Sequence, residues 1–205
     1  MFTSELPLSV VDAVVIRALE EDIGAGDVTT EACVPEAQEA TAKGVARREM
    51  VVSGVPVVAR VFAAVDPTVR FHASVDEGAR VKEGTVLFTV EGRARSLLTA
   101  ERVALNLVQR MCGIATATSR YVAALPPRSK ARIIDTRKTT PGLRLLERYS
   151  VRRGGGHNHR NDLGSAVLIK DNHVVAAGGV REAIEAARAR APHTSKIECE
   201  VDSLE

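Results

Sequence analysis

Apolar residues fall at Val11, Val14, Val15, Ala18 and Leu19, with polar positions between them. This spacing predicts an amphipathic helix over 8–21, with Ser9 as its N-cap and the Gly24 and Gly26 pair as its end. The next stretch, GDVTTEACVP, lacks the period and reads as a loop in which Asp27 and Thr29 bond nearby backbone. From 40 to 91 the texture changes to short valine-rich runs broken by turn signals at Asp76–Gly78 and Lys82–Gly84. These predict strands, with VPVVARVFAAV as a short helix behind them, and so a small α+β domain.

The longest helical pattern covers 96–124, where Leu97, Leu98, Val103, Leu105, Leu107, Val108, Met111 and Ile114 supply a broad apolar face. Gly113 inside it is read as a break, a close packing contact or a domain join. After Pro126 and Pro127 the pattern alternates. KARIIDT, AVLIKDN and KIECEV read as strands; TPGLRLLERYSVRR, with Thr140 at the N-cap and Pro141 first, and VREAIEAARARA read as helices. Such alternation predicts parallel βα units, with ligands at the carboxyl ends of the strands. The predicted organisation is α/β: an N-terminal α+β, sandwich-like domain with a bridging helix over 1–112, then an incomplete α/β barrel over 113–205.

Composition narrows the function. There are 28 basic and 26 acidic residues, so bulk charge does not indicate a nucleic-acid binder, and 3% aromatic content leaves little to stack on bases. Cys33, Cys112 and Cys199 are widely spaced and form no CxxC, which indicates neither a disulfide framework nor a zinc knuckle. The chain opens with no basic, then apolar, leader pattern, and no apolar run reaches the roughly 20 residues of a membrane span. A cytoplasmic protein is expected.

One stretch stands out. Between Ile133 and His173 lie Arg137, Lys138, Arg144, Arg148, Arg152, Arg153, Arg160 and Lys170, together with the glycines at 154–156 and the histidines at 157, 159 and 173. Cations beside glycines suggest a pocket for a small polyanion, since guanidinium groups fork onto carboxylates and phosphates while glycine lets backbone N–H groups approach. The competing reading pairs Arg137 or Lys138 with Asp135, and the triplet reads either as an anion nest or as a close-packing device. RRGGGHNHR has neither Walker nor GxGxxG spacing, and H-x-H alone does not make a metal site. Arg102 reads either as a solvated helix charge or as a cation offered to a neighbouring subunit. DEGARVKEGTVLFTVEG is similar in spacing to biotin- and lipoyl-carrying modules, but it has no lysine at a hairpin tip.

DTRKTTPGLR, RRGGGHNHR, LIKDNH and IECEVDSLE, with the upstream EDIGAGDVTT and LLTAERVALNLVQRMCGIAT, closely resemble the quinolinate phosphoribosyltransferase family, in the family's order and over nearly the whole chain. The resemblance implies condensation of quinolinate with phosphoribosyl pyrophosphate, using Mg²⁺, to nicotinate mononucleotide, pyrophosphate and CO2 in NAD biosynthesis. It implies that Arg102, Thr136, Arg137, Lys138, His159, Arg160, Lys170 and Glu200 bind substrate. Within that set Lys138, Lys170 and Glu200 would be catalytic, and Glu200 would lie near the magnesium. Arg102 would act across a homodimer or higher oligomer, and Glu198 is expected on the strand face opposite Glu200. The family continues beyond DSLE through further barrel strands, an LDN acid and glycine-rich phosphate loops. Three strands cannot close a barrel, so these 205 residues alone are expected to be inactive or poorly folded. The alternatives are a paralogous phosphoribosyltransferase for another nitrogenous acid and a non-catalytic anion-binding fragment.

Overall fold

The first predicted helix forms as α1, Leu8–Ile23, and buries Val11, Val15 and Leu19, one residue per turn. Its cap is Pro7 and not Ser9: the Pro7 carbonyl takes the Val10 and Val11 N–H groups, which places Ser9 inside the helix. The computed structural model describes residues 6–203 and divides into two compact units, Met1–Asn158 and His159–Glu205. The Leu204–Glu205 end of the IECEVDSLE motif and the chain's opening five residues lie outside the described residues.

In the first unit, the stretch read as a loop contains a short helix, α2, Val28–Cys33. Asp27 caps it by accepting the Thr30 N–H at 3.0 Å, and its other oxygen accepts the hydroxyl of Thr99 at 3.0 Å. The strands β1 (Glu39–Val45), β3 (Arg70–Ala73) and β5 (Val86–Arg93) form an antiparallel sheet in the order β1–β5–β3, while β2 (Met50–Val51) pairs with β4 (Arg80–Val81). The short helix predicted behind them is α3, Val55–Val65.

The bridging helix α4 runs unbroken over Ala94–Ala123, about 45 Å at 1.5 Å per residue. Gly113 neither breaks it nor permits a close contact, because a Cβ added there would meet no atom within 4 Å. The buried stripe of Leu97, Ala100, Val103, Ala104, Leu107, Val108, Met111 and Cys112 follows the helical period. It meets Val57, Val58 and Val61 of α3 and Val11 and Val15 of α1 in one core. The stripe is narrower than the sequence suggested: Leu98 is 47% exposed.

Two carboxylates tie this unit together. Glu77 accepts the N–H groups of Gly54 and Val55 at the start of α3, where a negative charge complements the helix dipole, and also takes the Tyr149 hydroxyl at 2.8 Å. Asp66, buried at the end of α3, accepts from the Thr68 hydroxyl and N–H and from the Ser96 hydroxyl of α4. Those bonds, with Arg93 nearby, hold its carboxyl well below the ordinary carboxylate value. A depressed folded-state value stabilises the fold above the unfolded value near 3.8 and ceases to as the pH falls below it. Asp66→Asn should therefore lower the thermal midpoint at pH 7, and its deficit against the parent should shrink as pH is taken from 5 towards 2. An equal deficit at both ends of that range would show that ionisation of Asp66 is immaterial.

Beyond α4, the predicted strand KARIIDT is reduced to one parallel bridge, Ile134 to His157. Helix α5 spans Arg144–Arg153, starting later than the sequence suggested. Gly142 sits at φ 82°, a left-handed conformation that no helix interior accepts, so Thr140 and Pro141 belong to a turn and not to an N-terminus.

The second unit holds β6 (Val167–Ile169) and β7 (Ile197–Cys199), paired in parallel, with α6 (Asp171–Ala177) and α7 (Val180–Arg190) between them. This is the strand–helix–strand crossover expected of parallel βα units. Helix α6 was not expected from the sequence. None of its residues is buried, so no apolar period announces it.

Candidate active site

Thr136, Arg137 and Lys138 occupy the loop that leaves the Ile134 bridge. The Lys138 N–H donates to Thr136 Oγ1 at 3.1 Å, and the Thr139 N–H to the Arg137 carbonyl at 2.9 Å, which curls the loop tightly. The Arg137 side chain is half-buried, and its Nε is shut off from solvent without a hydrogen-bond partner among the described residues. Lys138 is exposed. Asp135 is not their counter-ion: it forms a salt bridge with Arg148 at 3.3 Å and accepts from Asn158 Nδ2 at 2.7 Å. Arg102 lies exposed on α4.

The neighbouring cations prove to be largely internal supports. Arg144 donates to Thr139 Oγ1 at 3.0 Å, Arg148 is buried against Asp135, and Arg152 bonds Asn158. Arg152 and Arg153 also stack on the Tyr149 ring, with Arg153 at 4.6 Å from its centre, a cation–π arrangement. Burial, and then the adjacent Arg153 and Arg148, pull the Arg152 guanidinium below its ordinary value. Counting cations therefore overstated the pocket, because four of them fasten α5 and its flanks.

The glycine triplet is likewise a packing device and not an anion nest. Its three N–H groups donate to the carbonyls of Ser150, Arg152 and Val151, closing the end of α5. A Cβ on Gly154 would stand 2.3 Å from the Ala115 carbonyl oxygen of α4 and 2.7 Å from Thr118 Cβ. Gly154→Ala should thus cost about 1–3 kcal/mol of unfolding free energy by overpacking. Denaturant unfolding measures it; a change within a few tenths would mean that the two helices separate without cost.

In the second unit His159 Nε2 lies 3.2 Å from Glu198 Oε2, and Arg160 donates to the Ala166 carbonyl at 3.1 Å. Lys170 Nζ meets both oxygens of Glu200, at 2.7 and 3.0 Å, just past the ends of β6 and β7. Residues two apart on a strand share a face, so alternation gives no ground for setting Glu198 opposite Glu200, and the sequence-based expectation was mistaken. Glu198 is exposed and engages His159.

Sequence reasoning passed over Glu147 and Arg110. The Glu147 carboxylate, buried on α5, accepts from Arg110 Nε of α4 at 2.9 Å and from the Thr140 N–H at 3.4 Å. Arg110 also bonds Thr140 Oγ1. The available signal was one acid in the otherwise basic stretch RLLERYSVRR.

Residues 27–112 match the model for the quinolinate phosphoribosyl transferase N-terminal domain, and 114–205 match that for its C-terminal domain. A probable nicotinate-nucleotide pyrophosphorylase (carboxylating) of Synechocystis is 44% identical over 199 residues, covering 97% of this chain and 67% of the relative. The chain belongs to the quinolinate phosphoribosyltransferase family. A nicotinate-nucleotide pyrophosphorylase (carboxylating) of Mycobacterium leprae is 50% identical over 192 residues, or 92% of this chain and 67% of the relative. Among solved structures, NadC of Streptococcus pyogenes superposes with a TM-score of 0.93 at 42% identity, covering 98% of this chain and 71% of that one. The chain thus spans about two thirds of the length of these family members. Among the described residues, no helix is long and apolar enough to cross a membrane.

Proposed function

We propose that this chain serves its family's phosphoribosyl transfer, in which quinolinate and phosphoribosyl pyrophosphate give nicotinate mononucleotide, pyrophosphate and CO2 in cytoplasmic NAD biosynthesis; product formation by these 205 residues alone would overturn the expectation that they are inactive. The observation that carries this reading is the Arg137 guanidinium. Its buried Nε–H, unpaired among the described residues, is a donor held ready for an acceptor, and quinolinate brings two carboxylates. Beside it, Lys138 is an exposed point charge suited to the phosphoribosyl substrate. Thr136 shapes the loop of the first unit, and in this reading His159, Arg160 and Lys170 are the second unit's own quinolinate ligands. Arg102, exposed on α4, is supplied to a partner's pocket in a homodimer.

No covalent nucleophile is needed. The pyridine nitrogen attacks the ribosyl carbon as the bond to pyrophosphate breaks, and the electron pair of that bond leaves with pyrophosphate. The carboxylate next to the quaternised nitrogen then departs as CO2, its bonding pair taken into the ring and a proton filling the position. The residues contribute by orienting both reactants and by stabilising the separating charges. Mg²⁺ is held typically by one or two carboxylates plus substrate phosphates, and the exposed oxygens of Glu200 fit that role. When bound, it would neutralise charge on the phosphates. Lys170, now paired with Glu200, would exchange that partner for a quinolinate carboxylate on binding.

Calorimetry with quinolinate, using nicotinate as comparator, tests the site, and product analysis after adding phosphoribosyl pyrophosphate and Mg²⁺ tests the reaction. Preference for quinolinate with product formation supports the reading. Equal binding of the two acids overturns the substrate assignment, and quinolinate binding without product leaves an anion-binding module.

A further inference from the structure

The loop bearing Arg137 and Lys138 has few anchors of its own. Its two internal hydrogen bonds curl it locally, and Arg144 steadies Thr139 from the start of α5. At its far end the chain must turn through Gly142 before the helix begins. What fixes Thr140, two residues beyond Lys138, is the Glu147 carboxylate. Both of its oxygens receive the Thr140 N–H at 3.4 Å, while Arg110 reaches from α4 to the same carboxylate and to the Thr140 hydroxyl.

We propose that Arg110 and Glu147 are positioning residues that together hold the substrate-binding loop in register with α4. Neither is assigned any contact with substrate. Glu147 is 8% exposed, so its charge is stabilised by donors from both sides, Arg110 on one and the loop backbone on the other. The Arg110 side chain is 43% exposed, which allows its removal without opening a cavity in the core. The arrangement makes the loop's backbone a partner of a buried charge, which restrains the segment that carries Arg137. The Asp135 salt bridge with Arg148 secures the near end of the same segment. The two positioning residues supply its far end.

This inference rests on reading Arg137 and Lys138 as substrate ligands, and its test separates the two ideas. Arg110→Ala and Glu147→Gln should each weaken quinolinate binding by about 10- to 100-fold, the range set by small misplacements of binding groups. The double variant should be no worse than the poorer single one, because the pair acts as a unit. Arg110→Lys should recover part of the loss, since a single ammonium reaches Glu147 but cannot fork to Thr140 as well. Limited trypsin digestion supplies the readout that a general loss of stability would not move: cleavage after Arg137 and Lys138 should accelerate selectively, with other sites keeping their rates. If the parent protein fails to bind quinolinate, the substrate reading falls, and selective cleavage still decides whether the pair holds the loop. Unchanged cleavage at those two bonds, or acceleration spread evenly over all sites, overturns the proposal.

Discussion

Arg148→Ala should lower the unfolding free energy by about 3–5 kcal/mol, the cost of breaking a buried ion pair by removing one partner. The Arg148 and Asp135 side chains are 10% and 5% exposed, so water cannot replace the missing guanidinium. The effect belongs to the carboxylate left behind. Asp135→Asn introduced into the Arg148→Ala background should therefore restore part of the loss, because a neutral amide is far cheaper to bury than an unmatched charge. Denaturant unfolding of the two single variants and the double variant measures the coupling. A loss below about 1 kcal/mol, the scale of an exposed pair, would show that the bridge is solvated.

Arg137→Ala should reduce quinolinate affinity about 100-fold or more, consistent with truncating one partner of a desolvated charge pair. The same change should leave the thermal midpoint of the ligand-free protein unchanged or slightly raised. Among the described residues Arg137 Nε has no hydrogen-bond partner to lose, and an unpaired buried donor is itself a burden on stability. Arg137→Lys should restore little binding, since an ammonium cannot fork onto a carboxylate. Calorimetry and a thermal melt on one preparation give both numbers. A large fall in the midpoint with intact binding would recast Arg137 as a structural residue.

Period and turn chemistry made the long elements legible. The stripes of α1, α3 and α4 are written in valine, leucine and alanine at helical spacing, and the strand–helix alternation after residue 160 has its parallel pair. The short elements were hidden for a physical reason. Helix α2 has six residues and one buried side chain, Thr30, and α6 has none, so neither leaves an apolar signature. The cation-rich stretch was legible as a location but not as a division of labour. Arg148, Arg152 and Arg153 have the same letters as a ligand site but are bound by Asp135, Asn158 and the Tyr149 ring. Those partners lie 3 to 13 positions away and become neighbours only when α5 folds. The glycines left two readings open, and close packing is the one that holds: sequence shows that a Cβ is missing, not which carbonyl needs the room.

The core of the first unit joins segments from its two extremes. Val11 and Val15 share one cluster with Leu146 and Tyr149, and the buried Ser53 hydroxyl donates to Ser150 across 97 positions. Closure on this scale is slow, because the entropy of the intervening chain is lost before the distant contacts form. During synthesis, the apolar face of α4 must therefore wait uncovered on one side until α5 has left the ribosome. A pause in translation shortly before residue 150 would prolong that exposure, and a holding chaperone would find its longest opportunity there.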